Sequence, residues 1–426
     1  MVALVGIVAL YVNPGQWSTG WMSLALTARS YTVLLWPLAL AVGAEQGRRE
    51  HRTNVTELFA TTPRSRARRM LPLLIAIAAT TSLAYVLILV AGAVSLLSPS
   101  RYFPTDFLVI SAVGALSLVA AAWLGLGIGR LVPTPATAPL LAVAGAVFVT
   151  YTAIVDPLWL GAVLSPMYGT MQNYLYQTID ARVSAAFCIW MAALALTGAV
   201  LLVADTRWLR AAAPLPALIG ICLAVAIVPR DRAALEAPID PSAAALVCTD
   251  DAPTICVSRV HAGVLGELTP LARQGLAVLN RLPGTPAEVH EDIKPYGAWR
   301  TPAPAETQVV LLEVTVDEHG ELAYPDSVVP MVVGSLGVTL QGLCDHRHLG
   351  VERAAAYYLL GREPVSAVGV IPGVTGESPG ANRSAVALWQ ELQTLPEEQA
   401  LARIAAVRQA KADCRDGSEL LFRSSR

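Results

Sequence analysis

Lysine is almost missing from this chain of 426 residues: there are two, Lys294 and Lys411, beside 28 arginines. They follow Ile293 and Ala410, so the Gly-Lys pair of a GxxxxGK[ST] phosphate loop occurs nowhere and the chain carries no P-loop ATPase of its own. Charge of either sign is scarce, at 15% of residues against 54% apolar, and mean hydropathy is +0.53, values that exclude an ordinary soluble domain. No Asp or Glu stands well inside a long apolar run, which argues against transport driven by a coupling ion or a proton relay. The opening stretch, Met1 to Val12, has no charged flank before it and no small-residue cleavage site after it, which makes a signal peptide a poor reading. It is also too short to cross a bilayer, and the expectation is that the true start lies upstream, inside a first transmembrane helix.

What is abundant is apolar sequence in runs near the 20 residues or so that a spanning helix needs. The runs are Trp21 to Ala44, Leu71 to Leu97, Phe107 to Gly129, Ala136 to Val155, Val183 to Ala204 and Pro214 to Val228. Charge divides the chain in the same place. Residues 1–229 hold 13 arginines and 7 acids, and residues 230–426 hold 17 basic and 25 acidic groups, so the two parts are +6 and −8. A basic membrane part thus precedes an acidic, water-soluble part.

The arginines of the membrane part cluster in GRREHRTNVTELFATTPRSRARR, which begins at Gly47 between two apolar runs. Placing the loop 45–70 on the cytoplasmic side puts 10 arginines inside, seven of them Arg48, Arg49, Arg52, Arg64, Arg66, Arg68 and Arg69, against Arg29, Arg101 and Arg182 outside. The opposite topology inverts that ratio, so these seven set the orientation. Trp17, Trp21, Tyr102, Phe103 and Trp159 then fall at the outer headgroup level, and the C-terminal part lies outside the cell. Within the loop, Asn54 and Glu57 have capping-box spacing, Val55, Leu58 and Phe59 share one helix face, and Pro63 ends the run. A helix only about 10 Å long is unstable alone in water. It needs a partner that covers Leu58 and Phe59, beyond the lipid headgroups that the arginines hold.

A bent second span followed by GRRE, TELFATTPRSRARR and an immediate third span resembles the permease subunits of type-2 ATP-binding cassette exporters, in their actinobacterial-like form. The resemblance covers roughly residues 1–210, and the loop carries most of it. It implies that Glu57, Leu58, Phe59 and Thr61 contact a separate ATP-binding cassette ATPase subunit, that two permeases pair as a homo- or heterodimer, and that the protein sits in the bacterial plasma membrane. The chain departs from the family in lacking most of the first span and in carrying a large external domain with its own anchor span.

Three further features of the membrane part carry expectations. Asp156 to Arg182, broken by Pro157, Pro166 and Gly169 and rich in aromatics, reads as a re-entrant outer hairpin, with a surface loop as the alternative. Gly125, Gly127 and Gly129 form a small-residue face suited to packing within the bundle. Arg29, the lone charge well inside a run, is expected to snorkel to the outer headgroups.

Residues 230–245 read as a Pro- and Ala-rich linker and 246–426 as an α+β domain. Helices are expected over Gly263 to Leu282, Val351 to Leu360, Ser384 to Leu395 and Pro396 to Lys411, with a strand over Thr307 to Val316 and a hairpin turn at Asp317 to Gly320. Outside the membrane, Cys248, Cys256, Cys344 and Cys414 favour disulfides; Cys248 and Cys256 bracket a short turn, but three pairings are open. Cys188 and Cys222 lie in apolar spans and read as inert packing residues.

Enzyme signatures in this domain are incomplete. Gly376-Glu377-Ser378-Pro379-Gly380 matches GxSxG, but no histidine follows it, so Ser378 reads as a cap. His290-Glu291 meets Lys294 where HExxH needs its second histidine. Cys344, Asp345, His346 and His348 lack a second clustered pair and read as a surface turn. The fold expectation is therefore an α-helical polytopic bundle of 6–7 transmembrane helices followed by an extracytoplasmic α+β domain, with no catalytic, cofactor or metal site and no nucleic-acid partner. The functional expectation is an exporter permease, and the alternative is a membrane-anchored extracytoplasmic binding or sensor module.

Overall fold

A computed structural model describes residues 1–49, 66–97, 102–168, 175–235, 238–293, 305–340, 344, 348–366, 379–417 and 419–421. The chain divides into two compact units, one of residues 1–99 with 103–240, the other of residues 100–102 with 241–426.

The first unit is helical, as an apolar chain must be where water cannot satisfy the backbone. Its helices are α1 (Val2–Val12), α2 (Trp21–Ser30), α3 (Thr32–Gly47), α4 (Arg66–Ala93), α5 (Asp106–Leu131), α6 (Thr137–Ala153), α7 (Leu158–Leu164), α8 (Ala181–Val203), α9 (Arg207–Ala212) and α10 (Leu215–Ile227). Among the described residues four helices are long and apolar enough to cross a membrane: Arg66–Leu96, Asp106–Leu131, Ala181–Val203 and Arg207–Ile227, the last made of α9 and α10 in line. The pair α2 and α3 forms a fifth candidate, bent by 49°. α1 and α6 are apolar helices of 11 and 17 residues.

The bend in the α2–α3 pair is not at Pro37, which sits inside α3. It falls at Tyr31, where two hydroxyls take backbone carbonyls: Ser30 Oγ donates to the Thr27 carbonyl at 2.7 Å and Thr32 Oγ1 to that of Arg29 at 2.6 Å. Such back-bonding competes with the helix ladder and opens it. The bend corrects the expectation that Arg29 snorkels. Its side chain turns inward, is 1% exposed, and donates from Nε to the Pro166 carbonyl at 3.0 Å. The Trp17 side chain also turns inward. It is 1% exposed, with its indole N–H donated to the Leu10 carbonyl at 2.8 Å.

The glycine face on α5 packs inside the bundle. Gly125 and Gly129 of α5 lie against the backbone of Leu40 and Ala44 in α3, and Gly43 and Gly47 of α3 lie against Ala122 and Leu126 in α5. A Cβ on any of the four would collide with a backbone carbonyl oxygen. Gly127 makes the same close approach to Gly198 of α8, where an added Cβ would sit 2.6 Å from the Gly198 carbonyl oxygen. Small residues at this spacing let helix backbones touch without a hydrophobic driving force. Of the two free cysteines, Cys188 is half-buried and Cys222 is exposed on α10.

Among the described residues the second unit holds a four-stranded sheet: β1 (Leu246–Cys248), β2 (Ile255–Ser258), β3 (Val289–Glu291) and β4 (Val310–Leu312), in that spatial order. β1 pairs antiparallel with β2, while β2–β3 and β3–β4 are parallel. Around it stand α11 (Leu265–Leu279), α12 (Pro325–Gly334), α13 (Leu349–Leu360), α14 (Pro379–Gln393) and α15 (Glu397–Ala412). The expected long strand over Thr307 to Val316 is shortened to β4, and Val316 instead bridges Leu322 across the expected turn. Asp317 builds that turn by accepting the N–H groups of His319 at 2.8 Å and Glu321 at 3.0 Å. Burial opposes its charge, but the backbone bonds from Glu321, His319 and Gly320 outweigh it and hold the carboxyl below the usual aspartate range. α13 stops at Gly361, whose φ of 69° is the left-handed cap that glycine accepts without penalty.

Disulfides join Cys248 to Cys256 and Cys344 to Cys414. The first links directly opposed residues of β1 and β2. The eight-residue separation closes a small loop, so replacing both cysteines by serine is expected to cost only about 2 kcal/mol. Denaturant unfolding of the full chain in nanodiscs checks this value.

Candidate functional site

Four helix ends meet at one end of the membrane unit. Gly47, closing α3, lies against Leu126 and Arg130 near the end of α5, and Arg130 Nη1 donates to the Leu202 carbonyl near the end of α8 at 2.5 Å. Arg66, opening α4, is ion-paired with Asp205 just beyond α8. Arg48 pairs with Glu45 at 2.6 Å, Arg69 is half-buried, and Arg49 and Arg68 are exposed. α9 adds exposed Arg207 and Arg210, with Trp208 between them 87% exposed. An indole flanked by arginines suits a headgroup layer. The five topology-setting arginines among the described residues therefore stand at one basic end, from which the segment joining α3 to α4 departs. Arg52, Arg64, Glu57, Leu58, Phe59 and Thr61 lie outside the described residues.

The opposite end is built by the Asp156 to Arg182 segment. α7 opens it, and Tyr168 donates its hydroxyl to the Leu235 carbonyl at 2.5 Å. Gln177 bridges Ile239, Thr178 N–H donates to the Pro238 carbonyl at 2.9 Å, and Thr178 Oγ1 donates to Asp106 at 2.5 Å. Tyr176 is 1% exposed. Trp21 meets Phe103 and Phe107 edge-on, and the Arg230 guanidinium sits 3.6 Å over the Trp159 ring. Aromatic residues and arginines thus cap this end as well, without the density of charge at the other.

In the second unit the His290-Glu291 pair comes apart: His290 pairs with Glu288 at 3.2 Å, and Glu291 joins a buried structural network. Glu291 Oε1 lies 2.7 Å from His261 Nδ1, and its Oε2 accepts the Ser258 N–H at 2.6 Å. Ser258 Oγ is 3.3 Å from the same Nδ1. A Ser-His-acid relay needs the serine and the acid on different ring nitrogens. Here both address Nδ1, and Ser258 is fully buried, so the trio is no nucleophile. Sequence reasoning passed over His261 and Ser258 because neither stands in a motif.

The other motif residues are accounted for differently. Cys344 is spent in its disulfide, and His348 Nε2 pairs with Asp416 at 2.8 Å. Asp345, His346 and Ser378 lie outside the described residues. Lys411 is buried on α15, where Nζ meets Glu352 at 3.1 Å and donates to the Ser335 carbonyl at 2.9 Å. No group of three or more metal-binding side chains occurs among the described residues. No protein-family model, curated protein or solved structure matches the chain.

Proposed function

We propose that this chain is the permease subunit of an ATP-driven exporter, with the segment between α3 and α4 as its coupling contact to a separate ATPase. The observation that carries the proposal is the convergence of four helix ends and their arginines at the place where that segment leaves the bundle. The loop sequence adds its likeness to type-2 exporter permeases, and the missing Gly-Lys pair requires that ATP be hydrolysed by another chain. In this topology the basic end faces the cytoplasm, α1, α6 and the bent α2–α3 pair complete seven passes, and the disulfide-bonded second unit lies outside the cell. Two permeases complete the transporter.

Substituting Leu58→Asp together with Phe59→Asp is expected to weaken ATPase binding at least about a hundredfold, because two apolar anchors are replaced by charges. The measurement is ATPase recovered with the tagged chain from membranes, beside expression level and thermal stability of the variant. Undiminished ATPase recovery overturns the coupling role. It would favour a membrane-anchored extracytoplasmic binding module instead.

A further inference from the structure

Arg29 is the one arginine in the first unit that the bundle encloses completely among the described residues, at 1% exposure. Counting 1.5 Å per residue from Trp21, it lies roughly 12 Å along α2. Its Nε is satisfied by the Pro166 carbonyl, and the face of its guanidinium lies 4.9 Å from the Phe187 ring centroid on α8. Nη1 and Nη2 are buried and have no hydrogen-bond partner. The ionisable groups whose fields reach it are Tyr85, Cys188 and Tyr168. None of them is a carboxylate.

A cation enclosed without a counter-charge costs several kcal/mol, on the order of the whole stability of a small domain, and within a membrane such a residue marks a functional site. Among the described residues the surroundings supply hydroxyls but no carboxylate. The Tyr85 hydroxyl on α4 is fully buried and unbonded, held in place against Gly114 of α5. Ser111, one turn before Gly114, carries another buried, unbonded hydroxyl. Among the described residues, Arg29 on α2 and Tyr85 on α4 are thus enclosed polar groups with no negative group beside them. The Nη1–Nη2 fork matches two oxygens of one tetrahedral or planar oxyanion, and a phenol O–H is the natural third donor to it.

We propose that Arg29 and Tyr85 form an intramembrane binding site for a phosphate-type oxyanion, carried either by a lipid headgroup or by a soluble phosphorylated solute. The site does not depend on the exporter reading, since it stands on the enclosed guanidinium alone. The oxyanion supplies the missing charge and takes up the N–H groups that the protein leaves unbonded.

The full chain in phosphatidylcholine nanodiscs tests this through its thermal midpoint, titrated with inorganic phosphate against chloride of equal ionic strength. A parallel arm replaces part of the lipid with phosphatidylglycerol. A rise in midpoint with phosphate assigns a soluble ligand, and a rise only with phosphatidylglycerol assigns a headgroup. Arg29→Gln is expected to abolish whichever response appears, Arg29→Lys to weaken it, and Tyr85→Phe to weaken apparent binding about tenfold while keeping the ring packed against Gly114. Should Arg29→Gln fail to fold, Tyr85→Phe and Arg29→Lys carry the comparison. No response in either arm, or a response equal in wild type and Tyr85→Phe, overturns the site.

Discussion

Gly125→Leu is expected to leave no folded bundle. A Cβ at this position already collides with the Leu40 carbonyl oxygen, and backbone, unlike the tip of a side chain, has no other rotamer to adopt. The helices would have to separate, and the neighbouring contacts of Gly43, Gly47 and Gly129 belong to the same interface and would be lost together. Ordinary overpacking costs about 1–3 kcal/mol, and the loss here should exceed that range. Size-exclusion profile and thermal midpoint in detergent report it, with Val147→Leu on α6 as the control, since Val147 is 63% exposed. Equal midpoints for the two variants would contradict backbone contact between α3 and α5.

His261→Ala is expected to cost the second unit about 3–5 kcal/mol, the penalty for leaving a buried partner with its main contact removed. Glu291 is 4% exposed and would retain only the Ser258 N–H. Glu291→Gln keeps an acceptor for that N–H and a side chain of the same size, so it should cost about 1–2 kcal/mol. Because His261, Ser258 and Glu291 connect the end of β2 to the end of β3, their loss should be read as earlier unfolding of the whole unit. Denaturant midpoints, with His319→Ala as the control, check the order. His319 is 74% exposed, and a loss as small as its own would mean that the network carries no stability.

Much of the membrane unit is legible in the sequence because hydrocarbon imposes one solution on an apolar run. Leu71 to Leu97 and Val183 to Ala204 become helices within a few residues of those bounds. A bend in the second span is expected from the resemblance, but its place at Tyr31 is not legible, since Ser30 and Thr32 break a helix only when their hydroxyls turn back onto it, whereas the visible breaker, Pro37, is absorbed. Without the position of the bend, Arg29 reads as a surface anchor. In the second unit β2 is buried on every residue and shows no alternation, and β1 and β3 are three residues each, too short for a period. α12 was hidden by Pro325 and Pro330, the first a helix starter and the second inside the helix. The cysteine spacing left three pairings open, and tertiary structure selects one of them. Of the candidate site residues, the arginines at the helix ends are placed, whereas the coupling residues Glu57, Leu58, Phe59 and Thr61 rest on sequence alone.

The glycine contacts also decide what can move. Backbone seated on backbone makes α3, α5 and α8 a single stiff strut, because sliding any one of them drives a carbonyl into a neighbouring chain. α4 rests on that strut through side chains, with Tyr85 against Gly114 and the Trp123 indole N–H on the Leu74 carbonyl at 3.1 Å, and side chains can exchange rotamers. The segment from 48 to 65 thus joins a fixed post to a compliant one. Under the proposed coupling role, a push on that segment would displace α4 rather than the strut, and would carry Tyr85 with it.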